Sequence, residues 1–183
     1  MEEVRERKHR LPPAVYVGHR AVAFTLCVKD RAPMFTNGNI FRVMEDIFLS
    51  SLDKFLVDAY VYLFMPDHLH MLLEGKEKDS DIRKCVIDFK QKSGYWFAKQ
   101  QRNGSRNLQV AQDIGGTQAK ACGYLTPGLI NWQKDFYDHI MRKDEDIKKH
   151  VRYILENPLR KGIVVNWKEY PYKGSTLYNF NEW

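Results

Sequence analysis

Two apolar runs joined by a turn restrict most strongly what this chain can fold into. Residues 60–64 and 68–73 each have the length and the apolar, aromatic composition of a β-strand. Pro66-Asp67, which separates them, is typical of a tight connection. The sequence therefore predicts two neighbouring antiparallel strands at the centre of the fold.

The second of these strands carries two histidines one residue apart, His68 and His70. Alternate side chains of a strand point to the same face, so the two imidazoles lie side by side while Leu69 and Met71 face the core. Two neutral imidazoles held in this way are half of a divalent-metal site. Glu74 follows the same alternation and is a candidate third ligand. The plainer interpretation is that the histidines lie on a solvated face and bind nothing.

The other elements predict an α+β fold in which an antiparallel sheet has its helices on one face. Residues 101–130 are rich in Gln, Asn and Gly and predict a long loop, and residues 1–13 predict a basic N-terminal arm. The remaining predicted elements are a strand over 21–28, a helix over 40–57, a helix capped by Ser80, a strand over 136–141, and a helix from Asp144-Glu145-Asp146 to Glu156.

Bulk properties describe a globular chain with a basic excess. Its 183 residues suffice for one domain, 1–183, with a buried core. The 29 Lys and Arg residues outnumber the 23 Asp and Glu residues, which suits a polyanionic partner but is also common without one. The three cysteines form no CxxC pair, which argues against a zinc ribbon or a disulfide framework. With no signal-peptide pattern and no apolar run of bilayer length, we expect a cytoplasmic protein without membrane contact.

The last predicted helix adds a second chemical element. Tyr153 and Asn157 are four residues apart, so they share one face of this helix. A phenol and a carboxamide oxygen placed together at a metal could act as nucleophile and ligand. The alternative is that Tyr153 only packs and that Asn157-Pro158 only ends the helix.

These residues resemble the single-tyrosine HUH transposases (HUH denotes His-hydrophobic-His), specifically the REP-associated tyrosine transposase branch of the IS200-like family. Order and spacing match over roughly residues 20 to 176. The motifs that carry the resemblance are Lys29-Asp30-Arg31-Ala32-Pro33, Pro66-Asp67-His68-Leu69-His70, Phe89-Lys90, Trp132-Gln133, Phe136-Tyr137-Asp138-His139, Val151-Arg152-Tyr153-Ile154, Asn157-Pro158-Leu159-Arg160 and Tyr170-Pro171-Tyr172.

The resemblance implies a ferredoxin-like or RRM-like sheet with the histidine pair on a central strand. It also implies that His68, His70 and Asn157 bind Mg²⁺ or Mn²⁺ and that Tyr153 is the nucleophile. The metal would act as a Lewis acid on a scissile phosphate, and Tyr153 would form a 5′-phosphotyrosine and free a 3′-hydroxyl.

The substrates that the resemblance implies are single-stranded DNAs with imperfect hairpins. Lys90 matches a basic position of the family, and Arg83 and Lys92 lie on the same predicted helix. Arg142 follows the strand before the tyrosine helix, and His139 is an accessory candidate that either contacts DNA or simply ends a strand. The alternative for each cation is a solvated face, since phosphate contacts leave no distinctive sequence pattern.

Three functions remain open from the sequence. The first is the DNA strand transferase just described, acting as a monomer or a homodimer. The second is a zinc-type hydrolase in which His68, His70 and Glu74 activate water. The third is a domesticated, non-catalytic nucleic-acid-binding protein that keeps the fold.

Overall fold

A five-stranded antiparallel sheet forms the centre of the protein, in the order β4-β1-β3-β2-β5. The computed structural model describes residues 12–113 and 131–183, and residues 101–113 by their backbone alone. The elements in chain order are β1 (Ala21–Cys27), α1 (Gly38–Lys54), β2 (Val57–Met65), β3 (His68–Gly75), α2 (Ile82–Asp113), β4 (Tyr137–Ile140), α3 (Ile147–Leu155), α4 (Asn157–Arg160) and β5 (Lys173–Gly174), with 3₁₀ turns at Pro13–Tyr16, Lys29–Arg31, Trp167–Glu169 and Phe180–Glu182.

The predicted antiparallel pair is confirmed and lies at the middle of the sheet. β3 pairs with β1 on one side and with β2 on the other. The α+β class and the central position of the histidine strand are therefore confirmed as well. The register pairs Thr25 with His70 and Cys27 with His68.

The sheet is covered on both faces, which corrects the prediction of helices on one face. Helices α1 and α2 pack on the face to which Leu69 and Met71 point. Helix α3 packs on the opposite face, against Val61, Leu63 and Leu72. The physical reason is that the middle strands are apolar on both sides, so each face has to be buried.

The prediction of a loop over 101–130 is wrong for its first part. Helix α2 continues without a break to Asp113, and residues 114–130 lie outside the described residues. The stretch 101–113 contains Gln, Arg and Leu, which favour helix, and no proline. A polar composition therefore does not by itself indicate a loop. The predicted arm 1–13 lies mostly outside the described residues, which begin at Pro12.

The cap of α2 also differs from the prediction. Asp81 accepts a hydrogen bond from the backbone N–H of Lys84 (2.8 Å) and so caps the helix. The Ser80 hydroxyl instead donates to the carbonyl of Leu56 (2.6 Å) and accepts from the N–H of Glu77 (2.9 Å). Asn37 caps α1 by accepting a hydrogen bond from the N–H of Asn39, and Asp146 caps α3 by accepting one from the N–H of Lys149.

No helix among the described residues has the length and apolar character needed to cross a bilayer.

Gly75 at the end of β3 provides a test of this packing. A Cβ at Gly75 would lie 2.2 Å from the carbonyl oxygen of Gly18 and 2.8 Å from the Cβ of Ser80, so the backbone has to move. We expect Gly75→Ala to lower the free energy of unfolding by about 1–3 kcal/mol, measured by urea denaturation. Gly38→Ala is the matched control, because nothing lies within 4 Å of its new methyl group. Equal midpoints for the two variants would contradict the described packing.

Candidate functional site

The two histidines occupy the face of β3 that α3 covers. His68 lies opposite Cys27 and Met65, and His70 lies opposite Thr25 and Leu63. His68 is buried and His70 is half-buried. The predicted pairing of the two imidazoles on one face is therefore present in the structure.

The Nδ1 atom of each imidazole has a hydrogen-bond partner. Nδ1 of His68 hydrogen-bonds to Oδ1 of Asp67, and because a carboxylate only accepts, this Nδ1 carries the proton. Nδ1 of His70 lies 2.9 Å from Oγ1 of Thr25, which can accept its proton. The two Nε2 atoms are 3.0 Å apart. With both Nδ1 atoms protonated, two nitrogen lone pairs point at one location, an arrangement that a cation stabilises.

The surroundings hold both rings in the neutral form. Burial, the charge of His68 and the guanidinium of Arg160 lower the pKa of His70 to about 3. Burial also lowers the pKa of His68, although Asp67 opposes the shift. Neutral imidazoles are the form that binds metal ions.

The donor set fits an octahedral divalent cation. Two ligands about 2.1 Å from an ion and at right angles to each other are about 3.0 Å apart, which matches the Nε2 separation. No cluster of three or more His, Cys, Asp or Glu residues suited to a metal occurs in the described part of the chain. Amide, water and substrate oxygens are ligands that Mg²⁺ and Mn²⁺ accept, and they could complete such a set.

Arg31 and Asp67 brace the pair, and sequence reasoning missed both. Arg31 Nε forms an ion pair with Asp67 Oδ2 (3.1 Å), and its Nη1 lies 3.2 Å from the Cys27 sulfur. Asp30 and Arg31 both have left-handed backbones, with φ of 56° and 54°. Two consecutive non-glycine residues rarely adopt this conformation, so the surrounding contacts maintain it. A carboxylate next to the first histidine was the available sequence signal.

Helix α3 places Tyr153 on the histidine side of the sheet with its ring exposed. Val151, Ile154 and Leu155 are buried against the sheet, so Tyr153 faces outward and is 59% exposed. The guanidinium carbon of Arg160 lies 4.1 Å from the centre of the Tyr153 ring. The Arg160 charge also lowers the pKa of His70, so this arginine acts on the histidine pair as well as on the tyrosine.

Asn157 begins α4 and has a defined carboxamide orientation. Its Nδ2 donates to the carbonyl of Ile154 (3.1 Å), and its Oδ1 accepts from Nη2 of Arg160 (2.8 Å). A carboxamide oxygen has two lone pairs, so one remains for a cation.

Glu74 does not join the histidines, which argues against the zinc-type hydrolase. Its carboxylate accepts a hydrogen bond from the Tyr60 hydroxyl at the other end of β3. Four residues of strand separate it from His70, a distance of about 13 Å. The predicted ligand set of His68, His70 and Glu74 is therefore wrong.

Strand β4 adds two exposed side chains near the site. His139 Nε2 lies 2.9 Å from Oε1 of Glu145, and its ring is parallel to that of His150 at 6.3 Å. Tyr137 is 71% exposed and pairs with Thr25, so it lies on the histidine face and is a rival nucleophile that sequence reasoning missed.

The predicted DNA-contacting cations are divided between the two faces. Arg83, Lys90 and Lys92 lie on α2, across the sheet from the histidines. The Lys90 ammonium donates to the carbonyls of Gln133 (2.8 Å) and Lys134 (3.1 Å), and Lys92 pairs with Asp88 (2.7 Å). Arg142 is exposed in the connection from β4 to α3. Contact with DNA stays a prediction for all of them and for His139.

Comparison with known proteins gives concordant matches. The profile described as "Transposase IS200 like" matches residues 17–112. A REP-associated tyrosine transposase of Haemophilus influenzae is 24% identical over 81% of this chain and 76% of its own length. A REP-associated tyrosine transposase of Escherichia coli K12 is 25% identical over 81% of this chain and 72% of its own length. The solved structure of a REP-associated tyrosine transposase bound to a REP hairpin aligns with a TM-score of 0.62 at 19% identity, over 94% of this chain and 82% of that one.

The contacts of Asp67 with His68 and Arg31 give a prediction for metal affinity. Asp67→Asn removes the ion pair with Arg31 and weakens the hydrogen bond that orients His68. We expect Mn²⁺ affinity to fall about 10–100-fold, measured by calorimetric titration. Asp58→Asn is the matched control, because Asp58 pairs with Lys76 and lies opposite Glu74. Unchanged affinity in Asp67→Asn would show that the carboxylate does not orient the imidazole.

Proposed function

The chain belongs to the IS200-like transposase family, and from this membership we propose that it cuts and rejoins single-stranded DNA that carries imperfect hairpins. The enzyme class follows from the family. The observation that carries the proposal is the histidine pair, with its Nε2 atoms 3.0 Å apart, on the same side of the sheet as the exposed Tyr153.

The proposed substrate draws on the relatives. Two curated relatives are REP-associated tyrosine transposases, and a solved relative of the same fold is bound to a REP hairpin. We propose that this chain likewise takes a DNA hairpin with an adjoining single strand. We also propose that it acts in the cytoplasm.

We propose that His68, His70 and Asn157 hold one Mg²⁺ or Mn²⁺ ion. The support is the neutral state of the imidazoles and the free lone pair of the Asn157 oxygen. When bound, such an ion supplies Lewis acidity at the scissile phosphate.

Tyr153 is the proposed nucleophile. Its Oη forms a bond to phosphorus and loses its proton, while the bond from phosphorus to the 3′ oxygen breaks and that oxygen takes up a proton. The products are a 5′-phosphotyrosine and a free 3′-hydroxyl. The covalent link retains the phosphodiester energy, so the 3′-hydroxyl of another strand can reverse the step and complete the transfer without ATP.

The proposed DNA contacts fall into two groups. His139 and Arg142, near the β4 end of the site, would meet the strand close to the cut. Arg83, Lys90 and Lys92, on the far face, would meet only DNA that extends around the sheet. Phosphate contacts of both kinds would make affinity depend on salt.

The nucleophile and the histidines of one site come from one chain in this proposal. Helix α3 buries Val151, Ile154 and Leu155 against its own sheet, so a monomer contains both parts. A homodimer would then contain two complete sites. A mixture of His68→Ala and Tyr153→Phe chains should therefore not recover activity.

The decisive test is covalent capture of labelled hairpin DNA in Mn²⁺. We expect the native chain to give a protein–DNA adduct on a denaturing gel and Tyr153→Phe to give none, because phenylalanine has no nucleophilic oxygen. Tyr137→Phe is the matched control, since Tyr137 is also an exposed tyrosine on the histidine face.

Other outcomes would contradict parts of the proposal. An adduct lost in Tyr137→Phe but kept in Tyr153→Phe would show that the nucleophile is Tyr137, on β4. Hairpin binding with no adduct in any variant would favour the non-catalytic nucleic-acid-binding protein.

A further inference from the structure

Arg160, the last residue of α4, contacts both parts of the proposed site at once. Its guanidinium lies over the Tyr153 ring, with 4.1 Å between the central carbon and the ring centre. Its Nη2 donates to the backbone carbonyl of Tyr153 (2.7 Å) and to Oδ1 of Asn157 (2.8 Å). One planar group therefore joins the tyrosine to the proposed metal ligand.

The Tyr153 ring depends on this contact for its orientation. The ring is 59% exposed, so the core does not fix it. Among the described residues, the other ring near it is that of His150, at 6.3 Å between centres. An exposed tyrosine samples several staggered side-chain conformations, and a cation stacked on its face favours one of them.

Arg160 also determines which end of the Asn157 carboxamide is available. Nδ2 donates to the carbonyl of Ile154, so Oδ1 faces the guanidinium, which only donates. Without Arg160, only the hydrogen bond to the Ile154 carbonyl would oppose rotation about the last bond, which exchanges oxygen for nitrogen. An N–H group cannot bind a cation, so this orientation matters for a metal ligand.

We propose that Arg160 is a positioning residue for strand cleavage, which holds the Tyr153 ring and the Asn157 oxygen in one fixed relation. The inference rests on the proposed function. Arg160 forms no bond to the DNA and exchanges no proton in this role. Lysine is a partial substitute, because an ammonium can lie over a ring but cannot present a flat stacked surface with donors in fixed directions.

The test compares Arg160→Gln and Arg160→Lys with the native chain in three measurements. These are the single-turnover rate of adduct formation, the affinity for hairpin DNA without metal at several salt concentrations, and the affinity for Mn²⁺ alone. We expect Arg160→Gln to slow adduct formation at least tenfold, to weaken Mn²⁺ binding severalfold, and to leave hairpin affinity within twofold. Arg160→Lys should recover part of the rate.

A double variant tests whether Arg160 acts through Asn157. If it does, Arg160→Gln added to Asn157→Ala should cause no further loss of Mn²⁺ affinity. Arg42→Gln, an exposed arginine on α1 across the sheet, is the matched control and should leave all three measurements unchanged.

Two results would overturn the inference. If hairpin binding weakens and the slope of log affinity against log salt concentration falls in magnitude by about one, Arg160 is a phosphate contact. Unchanged rate and Mn²⁺ affinity would make it an ordinary surface arginine. An adduct that persists in Tyr153→Phe would instead contradict the proposed function, so the two failures are distinguishable.

Discussion

The pairing of β3 between β1 and β2 is the constraint on which the rest of the structure depends. Hydrogen bonds on both sides fix its register along its whole length. A shift by one residue would exchange the two faces, burying His68 and His70 in the α1–α2 core and moving Leu69 and Met71 to the face that α3 covers. The apolar side of the strand therefore secures the position of the histidines, and the site is as rigid as the core beneath it.

The charges around the histidines serve two purposes. Burial and the positive charges of Arg31 and Arg160 lower the pKa of His70, and Arg31 and Lys161 act in the same direction on His68. Neutral imidazoles keep their lone pairs for a cation. Arg31 and Lys161 would also attract a phosphate, because opposite charges at a cleft raise the local concentration of an anionic ligand. The neutral state of the imidazoles and the attraction of an anion would thus share part of their cause.

The sequence predicted the features that depend on local periodicity and missed those that depend on contacts across the fold. Strand alternation gave the histidine face. The shared side of Tyr153 and Asn157 stays a prediction from helical spacing, and Arg160 contacts both residues. The Arg31–Asp67 brace joins residues far apart in sequence and needs a strained backbone that no pattern encodes. The covering of the sheet by α3 follows from apolar residues on both sides of β2, and an argument from alternation in β3 alone does not include them. Polar composition, by contrast, misled at 101–113, where the helix persists.

The two proposed catalytic parts differ in how firmly they are held, and the difference suits strand transfer. The histidines lie in the central strand with buried neighbours, whereas Tyr153 projects from a helix of nine residues and is secured by side-chain stacking. A cation site benefits from rigidity, because its ligands must converge on one point. A nucleophile that has become attached to DNA has to let a second strand approach the same phosphorus. An exposed phenol on a short helix permits that approach without disturbing the histidines, since the contacts that fix them come from β1 and the turn before β3.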